Sequence, residues 1–464
     1  MSNAQPAANP LGDLVRLVTA TRYEDLPAQA VDRAKAFLLD TLGVGIAGNR
    51  APFQAEVVQA AQGWGSAAEA SVLGSAARLP APSAALVNGY RIHSQEFDCV
   101  FEAGVIIPMG PLVAAILAHV ERKIARGQTV SGRTLILALV VGVEISCTLG
   151  LAAKSGMKFF RPGVTGGFSA LAALCILDGV DSDFVRRGFG IVYSQISGSM
   201  QSHEEGSSML AMQIGFNARA ALTAFDLAGA GMSGPLRILD GRFGYFPVFE
   251  TEGDMPAAWA QIAQPWKITR LSHKPYPSGR VTHGMAHAML LLRDELKADD
   301  ITRVHVGMPP LGFRLVGRPI KADMTPNYAR LCVPYVASAA LIRGAVGLED
   351  FLPAAVGAGD VFALGSRFGT SQFEYPDPNA FYPQRLRVET RDGRVFEREV
   401  PYAPGHPEMP LSDADNLAKF RACLVFAGCD SGGTPARAVE QALAALEAVD
   451  SVAALTGAIA RLHP

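Results

Sequence analysis

The 464-residue chain is 49% apolar and 18% charged, with a formal net charge of -2. That balance favours a large buried volume over disorder, and the length exceeds the size at which one core stops growing, so two domains are expected. A nearly neutral chain excludes a nucleic-acid surface built on phosphate contacts, which needs a basic excess or stripe.

The chain opens MSNAQPAANPLGDL, without the basic start and apolar run of a signal peptide. In residues 31–48, Val31, Ala34, Leu38 and Leu42 fall on one helical face, and glycines close the segment. Ala- and Leu-rich runs at 110–126, 133–153, 166–178 and 214–230 have helix length and few strand formers. The stretch 135–153 is long enough to span a bilayer. Glu144 in its middle, with Gly142 and Gly150 nearby, favours instead a helix buried on all sides in protein, so no membrane partner is expected.

After Trp266 the pattern changes. Residues 301–308 alternate like a strand, and so do 385–391, which Asp392-Gly393 joins to 394–400 as a hairpin. Helical segments near 282–296 and 332–343 lie between them, and the chain turns helical again from Ser412. The expected fold class is mainly α: a helical domain of residues 1–268 and 405–464, with a smaller α+β lid of residues 269–404. The six cysteines (Cys99, Cys147, Cys175, Cys332, Cys423 and Cys429) show no CxxC spacing. They read as free thiols of a reducing compartment, and the protein as cytoplasmic.

Candidate chemistry collects in a few places. Lys274 stands in HKPYPSGR, where two prolines and a glycine stiffen a loop at the domain junction, a favoured position for a ligand cleft. Tyr335, in LCVPYVAS, is surrounded by apolar residues. It reads either as a buried tyrosine satisfied by backbone or as an acid or substrate donor. His93, Glu96 and Asp98 cluster in HSQEFDC. On a helix the first two share a face while Asp98 turns away, and neighbouring carboxylates can raise one pKa for general acid–base work. A helix cap or internal salt bridge is the competing reading. His283 and His287 have the i,i+4 spacing of metal ligands, but no acidic third ligand stands near, so no metal is expected. His283 and Arg280 read better as contacts to a substrate, Arg280 to its carboxylate.

Four separated segments resemble the MmgE/PrpD family of 2-methylcitrate dehydratases, cis-aconitate decarboxylases and iminodisuccinate epimerases. They are DRAKAFLLDTLGVGIAG (32–48), LVNGYRIHSQEFD (86–98), the stretch 215–246 ending AGAGMSGPLRILDGRFGYF, and KPYPSGRVTH (274–283) with the later ARLCVPYVASAAL and GHPEMPLSDADNLAKF. The resemblance implies a large helical domain, an α+β lid, an active site between them, a homodimer and a small organic-acid substrate. It implies no cofactor. It also implies catalytic roles for Lys274, Tyr335, Glu96 and Asp98, and substrate contacts from His93, Arg280, His283, Ser278 and Gln213. The expected reaction is a lyase step of dehydratase type or an isomerisation, begun by proton abstraction next to a carboxylate or carbonyl. An epimerase or double-bond isomerase without elimination, or an inactive member that only binds ligand, are the alternatives.

The departures are specific. Ile107, Thr165, Leu210 and Gln213 stand where the resemblance implies three histidines and a lysine, so the expected substrate is less charged than a tricarboxylate. His203, Glu204 and Glu205 in QSHEEGSS read either as replacement acid–base groups or as a polar loop before a helix.

Overall fold

The computed structural model describes residues 9–464; residues 1–8, on which the reading of the N-terminus partly rests, lie outside the described residues. The N-terminal region is mostly helical, with Ala28–Ala47, Ala81–His93, Met109–Ala125, Gly132–Ala152, Arg161–Asp178 and Met209–Gly229 as its main helices. Their cores are Ala-, Gly- and Leu-rich, so backbones can approach closely. The tightest crossing is between Ala81–His93 and Met209–Gly229: a Cβ on Gly89 would lie 2.7 Å from the Gly215 Cα, and one on Gly215 would lie 2.1 Å from the Leu86 carbonyl oxygen. Only glycine fits at either position, and the crossing brings the end of one helix, His93, beside the start of the other, Leu210.

Gly132–Ala152, long and apolar enough to cross a membrane, lies inside this helical core. Its Glu144 carboxylate is fully buried, 2.7 Å from Lys267 Nζ, and it accepts from the backbone N–H groups of Ala263 and Lys267. A buried carboxylate so paired has the partners that a lipid-facing one would lack.

The C-terminal region holds a mixed four-stranded sheet in the order Phe368–Gln372, Ile301–Met308, Gln384–Thr390, Val395–Val400. The first pair is parallel and the others antiparallel. Gln384–Thr390 and Val395–Val400 form the expected hairpin, turning at Gly393 (φ 86°) with Asp392 bonded to Thr390. The strand Phe368–Gln372 (FGTSQ) was not anticipated, because it is short and its burial does not alternate. The helices His283–Leu291 and Val333–Arg343 pack with this sheet in one apolar core. The closing helices Asp413–Phe426 and Thr434–Ala444 return to the N-terminal core, where Phe420, Leu424 and Val439 pack with residues from the first half of the chain.

Replacing Lys267 with Met strands the Glu144 charge. The expected loss is roughly 3–5 kcal/mol, read as a lower urea midpoint at unchanged slope. A midpoint equal to wild type would contradict the burial described.

Candidate active site

The helix Ala81–His93 stops at His93, and the chain then folds into a tight loop instead of continuing. Glu96 adopts a left-handed backbone conformation (φ 50°), unusual for a side chain with a Cβ and costing about 1 kcal/mol or more. The consequence reverses the helical expectation. Asp98 is not turned away but comes back under His93, with Oδ1 3.0 Å from Nδ1. Glu96 faces the other side of the imidazole, with Oε1 3.4 Å from Nε2. Its second oxygen, Oε2, accepts a hydrogen bond from Lys274 Nζ at 3.0 Å, and Nζ also donates to the Glu96 carbonyl at 3.1 Å. Four side chains thus form one line, Asp98–His93–Glu96–Lys274.

The charges in this line set one another. Burial pulls the His93 imidazole toward its neutral form, but Asp98 and Glu96 outweigh it and leave its pKa above the ordinary value. Burial would raise the Glu96 carboxyl, yet Lys274 and His93 bring it down to about 2. Glu96 is therefore an ionised bridge at neutral pH. The expectation that neighbouring carboxylates would raise its pKa is corrected, because its near neighbours are cations.

Two cavities meet at Glu96. One, of about 550 Å³, is almost wholly apolar, walled by Val100, Val105, Ile107, Met157, Phe160 and Leu210 among others. Lys274 and His203 bring polar atoms to it. The other, of about 360 Å³, carries His93, Tyr90, Ser94, Ser207, Ser208 and Asn327. Glu96, Leu210 and Leu331 belong to both. Ile107 and Leu210, where the resemblance implies charged groups, are cavity walls and add to the apolar surface of the larger chamber. Thr165 is buried within its own helix with its hydroxyl on the Arg161 carbonyl.

Several expected contacts lie elsewhere. Tyr335 is buried in the C-terminal core and donates to the Asp350 carbonyl at 2.5 Å, so it belongs to the backbone-satisfied reading, with burial pushing its pKa up to about 12. Ser278 bonds Thr282 (2.8 Å), and His283 Nε2 sits 3.1 Å from the Ser278 carbonyl; both are fully buried. They shape the KPYPSGRVTH turn and line neither cavity. Gln213 accepts from the Ser199 N–H, holding the loop under Gly198. Arg280 reaches the wall of the larger chamber, but its donors go to Glu102 (2.7 Å) and to the Ala403 and Pro404 carbonyls, which leaves it a clamp between the two regions. His287 lines a surface groove away from the site. Among the described residues no group of three His, Cys, Asp or Glu side chains could hold a metal.

What sequence reasoning missed is how firmly the 94–102 loop is gripped. Besides Lys274 and Arg280, Arg330 bonds the Gln95 side chain and Lys419 donates to the Phe97 carbonyl at 2.7 Å. These basic residues are far apart in sequence, and no local pattern marks them. His203 is open to two readings in the sequence alone. It lines the dry chamber, and burial, with Arg318 beside it, lowers its pKa to about 4. The one local signal was its place in a polar run just before a long apolar helix.

With this geometry in view, the comparisons are specific. The MmgE/PrpD N-terminal domain matches residues 12–257 and the MmgE/PrpD C-terminal domain matches residues 276–440. The chain belongs to the MmgE/PrpD family. Among its relatives, the cis-aconitate decarboxylase of Homo sapiens is 28% identical over 86% of this chain and 84% of its own length. The cis-aconitate decarboxylase-like protein oryM of Aspergillus oryzae is 27% identical over 91% and 92%. The cis-aconitate decarboxylase of Aspergillus terreus is 24% identical over 93% and 92%.

Asp98→Asn removes the carboxylate that helps hold the His93 pKa up, so the imidazole should titrate lower than in wild type when followed by NMR. Because the folded pKa of His93 is raised, its contribution to stability is fully present below its ordinary value of 6.5 and is lost as pH rises through the folded value. Denaturation of wild type and His93→Gln should therefore converge as pH increases. A gap that widened with pH would reverse the assigned sign. Glu96 acts oppositely: its depressed pKa stabilises above 4.5, and that contribution is lost as pH falls toward 2.

Proposed function

We propose that this chain is a cofactor-independent lyase that forms a carbanion next to a carboxylate of a small organic acid and then protonates it. The observation that carries the reading is a single lysine ammonium, backed by a Glu–His–Asp line, opening onto an apolar chamber. A carboxylate drawn into that chamber loses water, and Lys274 is the cation placed to meet it. In a decarboxylation, the reaction carried by the named relatives, the C–C bond breaks and CO₂ leaves with the electron pair remaining on carbon. Lys274 offsets the developing charge and supplies the proton. His93, reached through Glu96, opens on the polar chamber and can return a proton to Lys274. Asp98 holds the imidazole for that role.

Ile107 and Leu210 support a substrate with fewer charges than a tricarboxylate, because each leaves a wall of the chamber without a partner for a second or third carboxylate. A second reading, isomerisation without loss of a group, is favoured by His203. An imidazole whose pKa is lowered to about 4 is a neutral acceptor at pH 7, in the same chamber as a donor. We further propose, from the family resemblance, that the protein is a cytoplasmic homodimer.

The test is proton exchange followed by NMR in deuterated buffer, with CO₂ release measured in parallel. The acids are cis-aconitate, 2-methylcitrate, citrate, iminodisuccinate and smaller mono- and dicarboxylates. Lys274→Ala should lower turnover by at least 10²-fold. Exchange with CO₂ release selects the decarboxylase and exchange alone the isomerase, whereas a fully active Lys274→Ala variant would sink both.

A further inference from the structure

Outside the dry chamber lies an open cleft of about 1390 Å³ that shares Met157, Met200 and His203 with it. The cleft is therefore its outer compartment, and its chemistry is different. Lys158, Arg314, Arg318 and Lys321 line it against one carboxylate, Glu204. None of the four cations forms an ion pair among the described residues, although the chain as a whole carries a net charge of -2.

Arg318 is built into the wall. Its guanidinium lies over the Tyr328 ring at 4.9 Å, and Nη2 donates to the His203 carbonyl at 3.1 Å. Its Nη1 is buried without an acceptor among the described residues. Lys321 approaches the same ring, with Nζ 5.0 Å from its centroid. Tyr328 in turn is fixed by a 2.8 Å hydrogen bond from its hydroxyl to the Pro319 carbonyl. Two cations thus share one aromatic platform at the mouth, and one of them bonds the backbone of His203, one of the three residues the two compartments share. Holding like charges together this way is unfavourable unless an anion sits between them, and a planar guanidinium with a free N–H is suited to a carboxylate or phosphate.

We propose that the outer cleft binds the remote anionic group of the substrate, a carboxylate or a phosphate. The substrate class is then an acid with an apolar middle, its reacting carboxylate at Lys274 in the dry chamber and its second anion among Arg318, Lys321, Arg314 and Lys158. This rests on the proposed function for the identity of the reacting end. It accounts for a pocket that is dry where the chemistry happens and strongly basic at its mouth.

The experiment is calorimetric binding to the full chain. The probes are α,ω-dicarboxylates of four to ten carbons, ω-phosphonocarboxylates of matching length, and monocarboxylates of the same length as internal reference. One of the two dianion series should bind about tenfold or more tighter than the monocarboxylates at an optimal length, and which series does so identifies the remote group. In Arg318→Gln/Lys321→Gln that advantage should fall to parity. Arg318 bonds backbone, so the exposed pair Lys158→Glu/Lys321→Glu is a second variant and should also remove most of it. No advantage in either series, or one that survives both variants, overturns the proposal. Binding is read without turnover, so a tenfold advantage with no proton exchange would reject the carbanion reading and leave the anion cleft standing.

Discussion

The hydrogen-bonded ion pair between Lys274 and Glu96 is the contact on which the site depends. It joins the loop after the Ala81–His93 helix to the segment that enters the C-terminal region, with Lys274 buried and Glu96 mostly so. Neither charge could be buried there alone. Everything around the pair serves to keep it in place. Glu96 is bent into a left-handed conformation, His93 and Asp98 stand behind it, and Arg280, Arg330 and Lys419 hold the rest of the loop from three other parts of the chain. A strained residue held by so many partners is the arrangement expected where geometry must not drift.

The same pair explains the division of the pocket. Glu96 stands between a chamber that carries hydroxyls and an amide and a larger one with mostly apolar walls. The close crossing at Gly89 and Gly215 draws the two helices together, and His93 and Leu210 line the smaller chamber from either helix. Charge is thus confined to one face of the dry chamber and to its basic mouth. A carboxylate in between is desolvated without being surrounded by cations. That suits chemistry in which negative charge moves from oxygen to carbon, since a low-dielectric wall strengthens the Lys274 ammonium, while the Arg280 guanidinium in the same wall is engaged by Glu102.

Much of the fold was legible because its signals are local. Apolar runs of helix length gave the Met109–Ala125, Gly132–Ala152 and Arg161–Asp178 helices, and Asp392-Gly393 between alternating segments marked the hairpin. The strand Phe368–Gln372 escaped because its pairing with Ile301–Met308 is long-range and its own pattern is weak. Lys274, Glu96, His93 and Asp98 stand out in the sequence, but their relation does not: a helix carried through this segment turns Asp98 away, whereas one positive φ at Glu96 brings it back under His93. Tyr335, His283 and Gln213 meet backbone groups and Ser278 meets the Thr282 hydroxyl, contacts that fix turns and helix packing.

The sequence by itself determined the helical character of the first half, the α+β character of the second, the family resemblance, and the small set of titratable residues from which a site could be made. Periodicity, turn residues and ordered motifs are properties of neighbours along the chain, so one sequence contains them. Only the tertiary structure decided which of those residues meet, that Glu96 is a bridge instead of an acid, that Arg280 is already occupied, and that four cations without an ion pair among the described residues gather beside an apolar chamber. Those outcomes depend on burial and on partners hundreds of residues apart, which set the charge state and the free donors of each group and leave no trace in local spacing.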